Sequence, residues 1–139
     1  MAAERFLDTN ILLRHLLRDH LVHSPAAAAL LKRIEAGTED AWTSSLAIAE
    51  IVWVLSGPQY QLSRPDIRDG LSPLCSMTHL RVEHAEAVQR ALDRFAQTNL
   101  DFIDCLNAAL VEQHDLPELY SFDRDFDRIP EVTRIEPRA

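Results

Sequence analysis

"RFLDTNILLR", residues 5–14, is an apolar run that stops on Asp8-Thr9-Asn10 and restarts at once at Ile11. A short strand over residues 4–8, passing directly into a helix with Ile11, Leu12, Leu16 and Leu17 at helical spacing, accounts for both halves. Asp, Thr and Asn are all favoured as helix N-caps, so the polar triplet has a purely local explanation. It has a second one, because open α/β sheets bind ligands at the carboxyl ends of their strands. Which applies to Asp8 depends on where the other acids of the chain fall.

Working outward, "HSPAAAALLKRIEAG" predicts a helix with Ser24 as N-cap, Pro25 at the first helical position and Gly37 just past the end. "AWTSSLAIAEIVWVLSG" begins as a strand at Ala41-Trp42-Thr43 and becomes a helix capped by Ser44 or Ser45. "SRPDIRDGLSPLCSM" is a further helix entered at Ser63 or Arg64-Pro65, "THLRVE" a strand, and "HAEAVQRALDRFAQT" and "LDFIDCLNAALVEQHDL" two more helices. "ELYSFD" is the last strand, followed by an irregular tail ending in "VTRIEP". Strands alternating with helices predict an α/β fold with a mostly parallel sheet, and 139 residues without a linker predict one domain over 1–139.

No stretch is apolar enough to span a bilayer, and "MAAERFLD" has no basic region leading an apolar one, so neither a membrane segment nor a signal peptide is expected. Cys75 and Cys105 have no metal-type spacing, which favours a reducing, cytoplasmic setting. A net charge of −8 excludes nucleic-acid binding through bulk charge. Such binding needs a local basic patch, or cations that neutralise clustered acids. Lys32 is the only lysine among fourteen basic residues. Arginine suits bidentate phosphate contact, but a GC-rich genome gives the same bias, and we prefer that explanation.

Four acids fall at the ends of elements. Asp8 closes the first strand, Glu50 lies on an early turn of the helix after the second, Asp104 on the first turn of the helix near Asp101, and Asp123 at the end of "LYSFD". One edge of a parallel sheet can collect all four. Carboxylates so gathered raise one another's pKa, and a divalent cation relieves the conflict. Oxygen donors without His or Cys favour Mg²⁺ or Mn²⁺, which activate water and stabilise the leaving oxygen at a phosphodiester. Each acid also has a plainer role. Asp8 and Asp101 are candidate N-caps, and "DRDFDR" reads as a solvated turn that accounts for Asp125 and Asp127 better than for Asp123. Glu50 is harder to explain away, since "LAIAEIVWVL" is apolar on both sides of it.

Together "FLDTNILLR", "SSLAIAEIVWVL", "DFIDCLNAAL" and "YSFDRDF" resemble PIN-domain ribonucleases, most of all the VapC toxins of type II toxin–antitoxin pairs, in order from about residue 5 to 127. The resemblance implies a three-layer α/β/α PIN-like fold and Mg²⁺- or Mn²⁺-dependent RNA cleavage leaving a 5′-phosphate and a 3′-hydroxyl. It matches the four catalytic and metal-binding acids to Asp8, Glu50, Asp104 and Asp123, with Asp101, Asn10 and Ser121 auxiliary. It also implies a homodimer, and a cognate VapB-like antitoxin whose arginine competes with the metal and through which alone operator DNA is contacted. Departures are Asn107, where an aliphatic residue is usual, and Asp115 with Pro117 in place of a glycine before the last strand.

Two other functions compete. A non-catalytic module could use the acidic groove to receive an arginine of a partner protein. A phosphohydrolase with an aspartate nucleophile wants Asp-x-Asp after the first strand, and Asn10 stands in the second place. His20 and His23 lack a third ligand for zinc. Trp42 and Trp53, in or beside apolar runs, are expected in the core. Arg14, Arg18, Arg124 and Arg128 suit RNA phosphates or equally an acidic partner, and as plain solvated side chains they need no role at all.

Overall fold

The structure, a computed structural model, describes residues 3–139; Met1 and Ala2, the start of the segment read for a leader, lie outside the described residues. The elements run β1 (Glu4–Phe6), α1 (Thr9–Leu17), α2 (His23–Ala36), β2 (Asp40–Thr43), α3 (Ser45–Ser56), α4 (Arg64–Cys75), β3 (Leu80–Val82), α5 (Ala85–Gln97), α6 (Phe102–Glu112), β4 (Glu118–Tyr120), a 3-10 turn (Arg124–Arg128) and β5 (Thr133–Ile135). This is a three-layer α/β/α fold, with helices packed around parallel strands. β1, β2 and β3 hydrogen-bond in that order, and β4 and β5 form a second parallel pair.

The strands are short, so side chains reinforce the ladder. Phe6 lies opposite Trp42 in the register of β1 and β2, and their rings meet edge to face at 4.8 Å. Beyond the strand ends the Leu7 N–H donates to the Trp42 carbonyl, and the fully buried Thr43 hydroxyl donates back to the Leu7 carbonyl at 2.9 Å. These bonds fix the point at which β1 hands over to α1. The core fills the space between layers with Leu12 of α1, Ile34 of α2, Ile48 and Ile51 of α3, Ile67 and Leu71 of α4, and Val88 and Leu92 of α5.

Helix boundaries follow local chemistry. Ser44 caps α3 and Ser63 caps α4, each accepting from the backbone N–H three residues on. Gly37 ends α2 at φ +81°, the left-handed conformation that glycine adopts without strain. The expected cap of α2 is corrected: the helix starts at His23, and the Ser24 hydroxyl accepts from the His20 N–H instead. His20 takes over the turn, its Nδ1 accepting from Val22 and His23 N–H groups while its ring stacks on His23 at 4.1 Å. That nitrogen is therefore engaged by the backbone. Two more corrections concern the end of the fold. The last expected strand stops at Tyr120 rather than running to Asp123, and the tail contains β5, whose Thr133, Arg134 and Ile135 pair with Glu118, Leu119 and Tyr120.

Candidate active site

Asp8 occupies the N-cap position of α1, with extended backbone, yet its carboxylate makes no capping hydrogen bond. It is exposed at the carboxyl end of β1 and remains free for other partners. The next residue is tied inward. Thr9 is buried, and its hydroxyl donates to Glu50 Oε2 at 3.0 Å, joining the first turn of α1 to the second turn of α3. Glu50 is exposed rather than enclosed by its apolar neighbours. The reason is that α3 buries one side only. Ile48, Ile51, Val52 and Leu55 enter the core, while Leu46 and Trp53 stand 75% and 78% exposed beside Glu50. This corrects the expectation that Trp53 is a core residue; Trp42 is half-buried against Phe6, with Arg81 over its ring at 5.3 Å.

A second group of acids converges at the start of α6. Carboxylate oxygens of Asp104, Asp123 and Asp125 lie within 4.8 Å of one another. Asp104 is half-buried, and its pKa is raised above the ordinary aspartate value, first by burial and then by the negative charges of Asp123, Asp101 and Asp125. Asp101 stands at the N-cap of α6 without capping it by side chain, so its charge too is left facing Asp104.

The segment carrying Asp123 is built by side-chain turns. The Asp123 N–H donates to the Ser121 hydroxyl at 3.0 Å, and Asp123 Oδ1 accepts from the Asp125 N–H at 2.9 Å. Such an Asx turn folds residue i+2 back over residue i, which brings Asp125 into the cluster. Asp125 is the site residue that sequence reasoning assigned to a solvated turn; the Asp-x-Asp spacing after a hydroxyl residue was the available signal. Asp127 has a different role. Arg134 of β5 grips its carboxylate through two hydrogen bonds of 3.0 and 3.1 Å, holding its pKa low, and donates a third to the Ser121 carbonyl.

The structure thus joins Asp104 to Asp123 and Asp125, and Glu50 to Thr9 beside Asp8. Asp8 and Glu50 are not members of the three-carboxylate group. Asn10 is exposed near the site on α1, and Asn107 is exposed on α6. Arg14 is paired with Asp19 at 3.2 Å, whereas Arg18 closes α1 in the left-handed conformation. The donor set of the cluster is oxygen only and anionic. Chemically it can hold a divalent cation or share a proton.

Among the described residues, no helix is long and apolar enough to cross a membrane. Residues 5–132 match the family described as PIN domain. No curated protein matches the chain.

Proposed function

Because the chain belongs to the PIN domain family, whose members are in the main nucleases, we propose that it is a metal-dependent endoribonuclease of the VapC-like toxin kind. It hydrolyses RNA phosphodiester bonds and is inhibited by a cognate VapB-like antitoxin. The observation that carries this reading is the convergence of Asp104, Asp123 and Asp125 within 4.8 Å. Three carboxylates without His or Cys form a hard donor set, and the raised proton affinity of Asp104 reflects burial first and then the negative charge gathered around it. The residues fit Mg²⁺ or Mn²⁺. Asp104 and Asp123 would hold it, with Asp125 beside them and Asp8 and Glu50 contributing from the adjoining elements. A bound ion of this kind polarises the phosphodiester and makes a water more acidic.

The chain's own side chains supply orientation and proton transfer. Thr9 occupies one oxygen of Glu50, which leaves the other to accept the proton of the attacking water. The water oxygen bonds to phosphorus as the bond to the ribose 3′-oxygen breaks, and that oxygen is protonated from solvent. The products are a 5′-phosphate and a 3′-hydroxyl. Asp101 adds charge behind Asp104, and Ser121 fixes the turn that presents Asp123. An antitoxin arginine entering the same acids would displace the cation, and a homodimer would present two such sites.

The test is cleavage of RNA by the purified protein in Mg²⁺, Mn²⁺ or EDTA. Activity is expected only with metal, and a loss of about 100-fold or more in Asp8→Asn, Asp104→Asn and Glu50→Gln. Thr9→Val, which only frees Glu50, should lower kcat about tenfold, with Thr9→Ser restoring it. Absence of both cleavage and divalent binding would remove the nuclease reading and leave the acidic groove as a receiver of a partner's arginine.

A further inference from the structure

Next to the acids runs a groove of about 730 Å³, formed by the C-terminal half of α5, the end of α6 and the segment after the 3-10 turn. Arg90, Arg94 and Arg128 line it together with Asp93, Glu112 and Glu131. The formal charges balance, three against three, in a chain whose net charge is −8. They are not equally available. The Glu112 side chain is only 7% exposed, and it is held by Arg94 at 3.0 Å and Arg90 at 3.4 Å. Glu131 is open to solvent and sits on Arg94 at 3.2 Å. The arginines at the two ends of the groove stay open to solvent while paired, with Arg90 58% and Arg128 49% exposed.

Arg128 connects this groove to the acid cluster. It donates to Asn99 at 2.7 Å, just before α6, and its other terminal nitrogen lies 3.8 Å from Asp125, one of the three clustered carboxylates. Arg90 and Arg94, four residues apart, share one face of α5 and continue the row away from the acids. Guanidinium forks match phosphate oxygens bidentately. In an acidic chain the backbone of a nucleic acid cannot be held by bulk attraction, so it is held by local contacts of this kind or through cations bound at the acids.

We propose that the groove takes the phosphodiester backbone of the RNA strand adjoining the bond that is cut. Arg128 and Arg90 donate to successive phosphates, and Glu131 gives up its place on Arg94 to the strand. The inference rests on the nuclease reading. Contacts of this type position the strand and carry no base specificity.

The experiment measures binding of a short fluorescein-labelled single-stranded RNA of mixed sequence, by anisotropy across a salt series in Mg²⁺, in an Asp104→Asn background that leaves the RNA uncut. Arg90→Gln and Arg128→Gln are each expected to weaken binding several-fold and to lower the slope of log K against log salt by about 0.7, one single-strand phosphate contact. Arg128→Lys should keep the slope. Glu131→Gln, which removes the competing acid, should bind more tightly. Thermal melts verify that each variant is folded, and the opposite sign expected for Glu131→Gln separates competition at the groove from general loosening. RNA binding with unchanged slope and affinity in both arginine variants overturns the groove and leaves the nuclease standing. No RNA binding by the background protein overturns the groove, and absence of metal-dependent cleavage by the wild type overturns the nuclease reading with it.

Discussion

The carboxyl of Asp104 keeps its proton to higher pH than an ordinary aspartate, because burial and the charges of Asp123, Asp101 and Asp125 disfavour its ionised form. Its pKa is therefore higher folded than unfolded. Between the two values the folded state binds more protons, so stability falls as pH rises from the ordinary aspartate range through the raised value. In EDTA, Asp104→Asn is expected to melt at a higher temperature than wild type at neutral pH. The gap should close in acid below the ordinary aspartate range, where both side chains are neutral; melts at a series of pH values check it. The acids also explain what a sequence can and cannot disclose at this scale. Asp8 and Asp101 stand where caps stand, and only the geometry reveals that neither caps. Asp125 and Asp127 read alike as a solvated turn in "DRDFDR", but Asp125 joins Asp123 in the cluster while an arginine holds Asp127 apart.

Elements hold these residues in place, and the α5–α6 turn is the clearest case. Arg64, at the start of α4, directs one terminal nitrogen at the carbonyls of Phe95, Thr98 and Leu100, with contacts of 3.1, 3.1 and 2.6 Å, and lies 4.1 Å over the Phe95 ring. The next residue after that turn is Asp101. Arg64→Leu strands three carbonyls and should cost about 2–3 kcal/mol in urea unfolding, while also weakening divalent binding because the start of α6 is no longer anchored. The element pattern itself was largely legible, since periodicity, serine caps and Gly37 place most helices from sequence alone. It failed where tertiary context decides. "VTRIEP" becomes a strand only because β4 is there to pair with it, and the apolar run of α3 hides that Leu46 and Trp53 lie on its outer side. His20, rather than Ser24, organises the entry to α2, a ring-nitrogen cap that no N-cap preference predicts.

At the scale of the whole molecule, a net charge of −8 with acids gathered at one site leads us to expect a stability that rises with divalent cations. A divalent ion that binds only the folded chain adds about 2.7 kcal/mol at one hundred times its Kd, a rise in Tm of roughly 10 °C for a domain of this size. Calorimetry with Mg²⁺ and Mn²⁺ against EDTA measures it, and most of the rise should be missing in Asp104→Asn. The α/β class and its parallel strands were readable from the alternation of strands and helices, and the three-layer arrangement from the resemblance to PIN domains. The grouping of strands into three and two was not, because strands of three or four residues carry too little pattern to name their neighbours.

The parallel pair of β4 and β5 has a consequence for the timing of synthesis. The Ser121 N–H donates to the Ile135 carbonyl, and Arg134 braces both Ser121 and Asp127, so the loop that presents Asp123 takes its shape from residues made after it. A chain synthesised as far as Asp127 holds every acid of the site and lacks the brace that shapes the loop carrying Asp123. On the nuclease reading, the site is complete in its residues before it is complete in its shape.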